Sequence, residues 1–326
     1  FFQARNKPKM RIGLQHLPLA TVILSPFIVS YNGYGLFMTT FTMLLCFLIY
    51  FVTNYYLTFK RVGAKEDRIV LNTFPISHYV EKARWCLDKS GIPYTEEKDI
   101  GVFWFILTGR MLPTLRNETQ NITIPNTSDI CKYLYGHTVQ TQGEEKAEFL
   151  KPSTKGFELE KKIDRIGLLL RRYAYYHMIV DYPDNMEMIA LKGWGFHEET
   201  VPSWQKMILK IVWPLNRIFV INALQINKKN VEKDRKRIDD FYREMDEILS
   251  NNKYLLGTDE PTYIDITFAA ITSLIVWPKE YGGPRLTPAA RLEINDFGPE
   301  PQKRMNEFRE TVSGQFVLRM YREHRI

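Results

Sequence analysis

The stretch from Ile69 to Leu87, IVLNTFPISHYVEKARWCL, constrains the fold of this chain more than any other. Ile69, Val70 and Leu71 form a short β-branched and apolar run, the pattern of a strand. Pro75 breaks it. Beyond the proline, Tyr79, Lys82, Ala83, Cys86 and Leu87 recur at helical spacing, with Glu81, Lys82 and Arg84 supplying polar positions. Ser77 falls where that helix begins. A helix start presents unpaired N–H groups and the positive end of the helix dipole. A hydroxyl there has two uses: it caps the helix, or it donates to an anion such as a thiolate. At this level both stay open.

The second constraint lies upstream. Arg5, Lys7, Lys9 and Arg11 make the start basic and free of acids, and between Arg11 and Lys60 there is no Asp, Glu, Lys or Arg. Within that window Leu36 to Leu57 is long enough to cross a bilayer as a helix, and Tyr55, Tyr56, Lys60 and Arg61 form an interface-like border. Leu14 to Ser30 is also uncharged but is interrupted by Pro18 and Pro26. It reads either as a kinked second span, paired with the first around Tyr31–Gly35, or as a segment lying in the interface. The expectation is a membrane anchor over residues 1–60, one spanning helix or a hairpin, with the hairpin preferred. The apolar region is too long for a cleaved secretory signal and has no small-residue cleavage site, and a basic, acid-free start fits a mitochondrial inner membrane best.

Composition narrows the classes further. At 326 residues the chain allows two or three structural units. The net charge of +7 comes from Lys and Arg interspersed with Asp and Glu, so no basic stripe of the kind nucleic-acid binding needs is present. Cys46, Cys86 and Cys131 form no CxxC and sit at no metal-ligand spacing, which excludes a disulfide scaffold and a zinc site and leaves small buried hydrophobes. His78, His137, His177 and His197 show no metal pattern and read as surface or capping residues.

Downstream of the first helix, Gly91-Ile92-Pro93 stops it, and Tyr94–Lys98 reads as a second strand. Gly101–Gly109 is apolar, aromatic and unassigned. Leu112–Leu115 and Gln120–Ile124 lead into further strands, and Thr127–Leu134 is helical. This order is an α+β unit of thioredoxin size over residues 66–137, with a helix crossing between the first strands. Residues 144–326 are helical throughout. Glu158–Tyr176 and Asn230–Leu249 are amphipathic, Thr262–Asp265 is a capping box opening a nearly uncharged helix to Trp277, and a last helix runs from about Glu300 to Arg322. Ser203–Leu224 is apolar and aromatic with Lys206, Lys210 and Arg217 on its border. It reads either as a core helix broken at Pro214 or as a helix resting on a membrane surface.

Several of these pieces resemble the glutathione transferase superfamily from about Arg68 to the C-terminus. FPISHYVEKARWCLDKSGIPY looks like the family's first strand and active-site helix, LPTL like the segment where a cis-proline precedes the third strand, and PNTSDICKYL like the acidic-Ser motif. YLLGTDEPTYIDITFAA looks like the capping-box motif of the helical domain, and WPKEYGG and the C-terminal EFRETVSGQFVLRMYREHR resemble tails of membrane-neighbouring bacterial members. The resemblance implies a thioredoxin-like domain followed by an all-helical domain, with glutathione as the cofactor. It places Ser77 where a Ser, Tyr or Cys stabilises the glutathione thiolate, and a hydroxyl at a helix N-terminus suits that task. Leu112, before an expected cis-Pro113, would offer its backbone to the cysteinyl unit, and Asn126 and Thr127 fall on the pair that holds the γ-glutamyl group.

The chain departs from the family pattern in three places. Asn126 stands where the acid is usual, which removes the charge that pairs with the ligand's ammonium. Such a loss costs about 1.5–3 kcal/mol, roughly one to two orders of magnitude in affinity. Thr127 replaces Ser, and Ser77 with Val80 occupies a redox CxxC, which excludes glutaredoxin-like disulfide chemistry. Glycosylation sequons at Asn117, Asn121 and Asn126 crowd the expected ligand face, so they read as chance or as a sign that the domain does not face the secretory lumen. Two functional readings follow. The preferred one is a non-catalytic accessory subunit of a membrane complex, in contact with lipid and partner subunits, with the mitochondrial inner membrane favoured over the endoplasmic reticulum. The other is an active membrane-bound transferase using Ser77. Dimer surfaces vary in this superfamily, so a homodimer stays open.

Overall fold

The computed structural model describes residues 35–59, 68–100, 112–181 and 186–325. Its first element is helix α1 (Leu36–Phe59). Phe37, Leu44 and Leu48 on it are exposed. Among the described residues no single helix is long and apolar enough to cross a membrane, and the apolar part found in α1 is Phe37–Cys46. The expected partner segment at Leu14–Ser30 lies outside the described residues, as does Gly101–Gly109.

A four-stranded sheet follows. Strand β1 (Ile69–Thr73) leads through α2 (His78–Ser90) to β2 (Tyr94–Lys98), then come β3 (Thr114–Asn117), β4 (Ile122–Ile124) and α3 (Thr127–Gln142). The spatial order is β2-β1-β3-β4. β1 and β2 are parallel, joined by the α2 crossover, whereas β3 and β4 run antiparallel to their neighbours. This is the thioredoxin-like arrangement. All five residues of β1 are buried, as expected of a central strand covered on both faces. Gly91 ends α2 in the left-handed region at φ 67°, where its N–H bonds the Asp88 carbonyl.

The remainder is helical: α4 (Glu144–Ala147), α5 (Thr154–Ile179), α6 (Met186–Gly193), α7 (Ser203–Ala223), α8 (Lys228–Asn251), α9 (Tyr263–Val276), α10 (Pro299–Glu310) and α11 (Val312–His324). Every residue of α9 is buried, and the Thr262–Asp265 capping box forms at its start. Helix α9 packs on both α2 and α5, so the sheet unit and the helical unit share one core.

Three expectations are corrected. Helix α7 is not broken at Pro214 but runs continuously through it. Pro214 lies on the exposed side of the helix. The C-terminal segment is two helices, because Thr311 adopts an extended conformation and its side chain caps α11 through the Gly314 N–H. Gly314 is required there, since a Cβ would lie 1.8 Å from the Phe308 carbonyl oxygen. Finally, His78 and His177 are buried rather than superficial. His177 Nδ1 reaches Asp181 at 3.0 Å.

Candidate functional site

Sheet register brings the expected site residues to one end of the sheet. In β1–β3 pairing Asn72 lies opposite Thr114, so the chain leaving β1 toward Ser77 lies beside the chain entering β3 through Pro113. Leu115 lies opposite Ile124, so β4 delivers Asn126 to that same end. The Leu112–Pro113 peptide is cis. Leu112 is half-buried and Pro113 buried.

Ser77 is the N-cap of α2, in an extended conformation, and its Oγ accepts from the Val80 N–H at 3.4 Å. As an acceptor in the cap it keeps its own O–H to donate. It is half-buried, whereas Ile76 and His78 on either side are buried. The cap and the donor role left open by the sequence are thus compatible in one hydroxyl.

The turn that presents Ser77 is held largely by the helical unit. Phe74 packs edge-on against Trp194 at 5.5 Å. The Tyr281 hydroxyl donates to the Ile76 carbonyl at 2.8 Å. Gly195 sits at φ 87°, and a Cβ on it would lie 2.8 Å from Pro75 Cγ, so only glycine allows this approach. Neither Tyr281 nor Gly195 stands out by periodicity, although Tyr281 lies within the WPKEYGG segment.

Asn126 is exposed and caps α3, its Oδ1 accepting from the Ser128 N–H at 2.9 Å. Thr127 is buried. The adjacent Ser128 hydroxyl donates to Glu160 at 2.6 Å, and Lys82 Nζ pairs with the same carboxylate oxygen. Asn126 supplies no charge at this end of the sheet, and the nearby Glu160 carboxylate is committed to Lys82 and Ser128.

Electrostatics around Ser77 are set by burial. Burial, reinforced by Arg171, pushes the His78 imidazole down to about 3, so it is neutral beside Ser77 at ordinary pH. Burial, with Asp164 adding to it, pushes the Tyr79 hydroxyl up to about 12. One turn on, Glu81, Lys82 and Arg84 are fully buried, although helical periodicity marks them as a polar face. Glu81 accepts from Arg325 at 2.8 Å, from Arg84 at 3.0 Å and from the Gly282 N–H at 3.1 Å. Burial alone would raise its carboxyl, and the two guanidiniums override this and hold it below the usual carboxylate range. Arg325 also reaches Asp88 at 2.8 Å, and Trp85 Nε1 donates to the His324 carbonyl at 3.0 Å. The C-terminus of the chain is thereby clamped onto the helix that starts at Ser77. No sequence signal marks this pairing, because its partners lie far apart in the chain.

Together these features define a thioredoxin-like unit carrying a Ser-capped helix and a cis-proline, followed by a helical unit. Residues 71–141 match the family model described as "Glutathione S-transferase, N-terminal domain". No curated protein sequence matches the chain. Among solved structures, the chain is similar to the beta-etherase LigF from Sphingobium sp., at 14% identity, covering 76% of this chain and 98% of that one with a TM-score of 0.43. It is also similar to poplar glutathione transferase F1, at 11% identity, 79% and 99% coverage and a TM-score of 0.44. A third is the glutathione S-transferase of Ceriporiopsis subvermispora in complex with glutathione, at 14% identity, 79% and 98% coverage and a TM-score of 0.43.

Proposed function

We propose that this chain is a membrane-associated, glutathione-transferase-like accessory subunit whose glutathione site has lost catalytic strength. The observation that carries this reading is Asn126, which is uncharged and uses its side-chain oxygen as a helix cap where the family places an acid. The uncharged, exposed apolar residues of α1 and the charge-free sequence between Arg11 and Lys60 support attachment to lipid and to partner subunits of an organellar membrane, the mitochondrial inner membrane being preferred. Calorimetry of the full chain in detergent tests the reading. The expected result is no heat of glutathione binding at micromolar ligand, with restoration of about 10–100-fold in affinity by Asn126→Asp. Micromolar binding by the unaltered protein, with conjugation of a model electrophile, would overturn it.

One observation favours a second reading, an active transferase. Ser77 is half-buried at a helix N-terminus with its O–H proton free of the cap, which suits donation to a bound thiolate. Under this reading Ser77→Ala abolishes conjugation while leaving the thermal midpoint within a few degrees, and unchanged conjugation removes Ser77 from the mechanism. Leu112 with Pro113 and Thr127 would complete the glutathione contacts in either case.

A further inference from the structure

Helix α7 carries an outward face that the proposed function does not use. Its inner side is anchored by Leu209, Trp213 and Asn216, with Trp213 packed edge-on against Trp194 at 5.3 Å. That packing fixes the rotation of the helix and forces Met207, Ile211, Leu215, Ile218 and Phe219 outward, each at least 57% exposed. These positions recur at intervals of three and four, so they form one continuous apolar stripe. Near the end of the stripe, exposed Leu168 of α5 lines a groove with Arg171, Arg172 and Leu224.

The charges on this helix are of one sign. Lys206, Lys210 and Arg217 are its only ionised residues, and no acid occurs between Ser203 and Ala223. Lys210 folds over the Phe196 ring at 4.5 Å, beside the stripe rather than across it. An apolar stripe bordered by cations matches the boundary between anionic headgroups and acyl chains. A second copy of the chain fits less well, because a two-fold contact through this face would bring like charges together. Helix α1 carries no charge to complement the cations.

We infer that α7 docks on an anionic lipid surface, its apolar stripe entering the acyl boundary and Lys206, Lys210 and Arg217 meeting phosphate groups. This contact is separate from α1 and independent of whether Ser77 supports turnover.

The test uses the full chain in phosphatidylcholine vesicles containing about a third phosphatidylglycerol. A nitroxide is attached through Leu215→Cys, or in a second variant through Phe219→Cys, with Cys46→Ser in both. The expected result is a several-fold rise in oxygen collisions over nickel-chelate collisions on adding vesicles. Lys206→Gln, Lys210→Gln and Arg217→Gln together should lower the docked-to-undocked ratio roughly 100-fold, about fivefold for each cation. Labels that stay equally exposed to the chelate would overturn the inference. So would equal immersion in pure phosphatidylcholine, labels already shielded without vesicles, as under cover by α1, or spin–spin broadening between two copies.

Discussion

Arg325→Met removes the guanidinium that clamps the C-terminus onto Glu81 and Asp88 while keeping an unbranched apolar side chain. Glu81 and Arg325 are buried, and their pair is supported by two further contacts to Glu81, from Arg84 at 3.0 Å and the Gly282 N–H at 3.1 Å. Breaking a buried pair by removing one partner costs about 3–5 kcal/mol, since the other charge stays buried. The remaining contacts to Glu81 place this case near the lower end, about 3 kcal/mol, which corresponds to a fall of about 4–6 °C in thermal midpoint for a chain of this length. The sign with pH follows from the depressed Glu81 carboxyl. Its stabilisation is fully present above the unfolded value of about 4.3 and is lost as pH falls through the lower folded value. The gap between parent and variant is thus widest near neutrality and closes on acidification. Denaturant titrations of both proteins across pH measure it, and the Glu81→Gln and Arg325→Met double variant should lose less than the sum of the single losses. A neutral-pH difference under about 1 kcal/mol, or a gap that widens in acid, would refute the clamp.

Three further perturbations probe the surroundings of Ser77. Gly195→Ala places a Cβ at φ 87° and 2.8 Å from Pro75, and should destabilise the protein by about 1–3 kcal/mol in a denaturant titration. Tyr281→Phe leaves the buried Ile76 carbonyl without its donor, with an expected loss of about 1–3 kcal/mol and faster amide exchange at Ser77 and Val80. His78 is lowered from 6.5 to about 3, so the unfolded chain takes up a proton in that window and the folded one does not. Stability therefore declines as pH falls through it, and His78→Leu should flatten this part of the profile.

Much of the sheet unit was legible because its signals are local. A β-branched run, Pro75, a serine before a period of 3.6 and Gly91 specify β1, α2 and its end with no reference to distant residues. The cis-proline followed from LPTL by resemblance, and the departure at Asn126 followed from the motif alone. What was not legible depended on tertiary contacts. The extension of α3 to Gln142 passes Gly136 and His137, where the apolar period fades. The break at Thr311 depends on a cap and a close approach at Gly314. Continuity of α7 through Pro214 depends on the exposed side on which that proline lies. Periodicity also treats a charged residue as solvated, so it could not reveal that Glu81, Lys82 and Arg84 face partners contributed by Arg325, Glu160 and Glu96.

Helices α2 and α7 break the same rule in opposite directions. In α2 three ionised residues are buried, and each finds its counter-charge in the chain: Glu81 in Arg84 and Arg325, Lys82 in Glu160, Arg84 in Glu96. A buried charge without such a partner would cost several kcal/mol, so the chain had to supply them. In α7 five large apolar residues are exposed along one stripe, and only the opposite side of the helix packs on the core. Single exposed apolar residues need no explanation, but a continuous stripe does. The cations that this helix carries beside the stripe, with no acid on the helix itself, give the missing partner a sign as well as a polarity. A contact through α7 of the kind inferred above would fix the orientation of the Ser77 end of the sheet relative to a lipid surface.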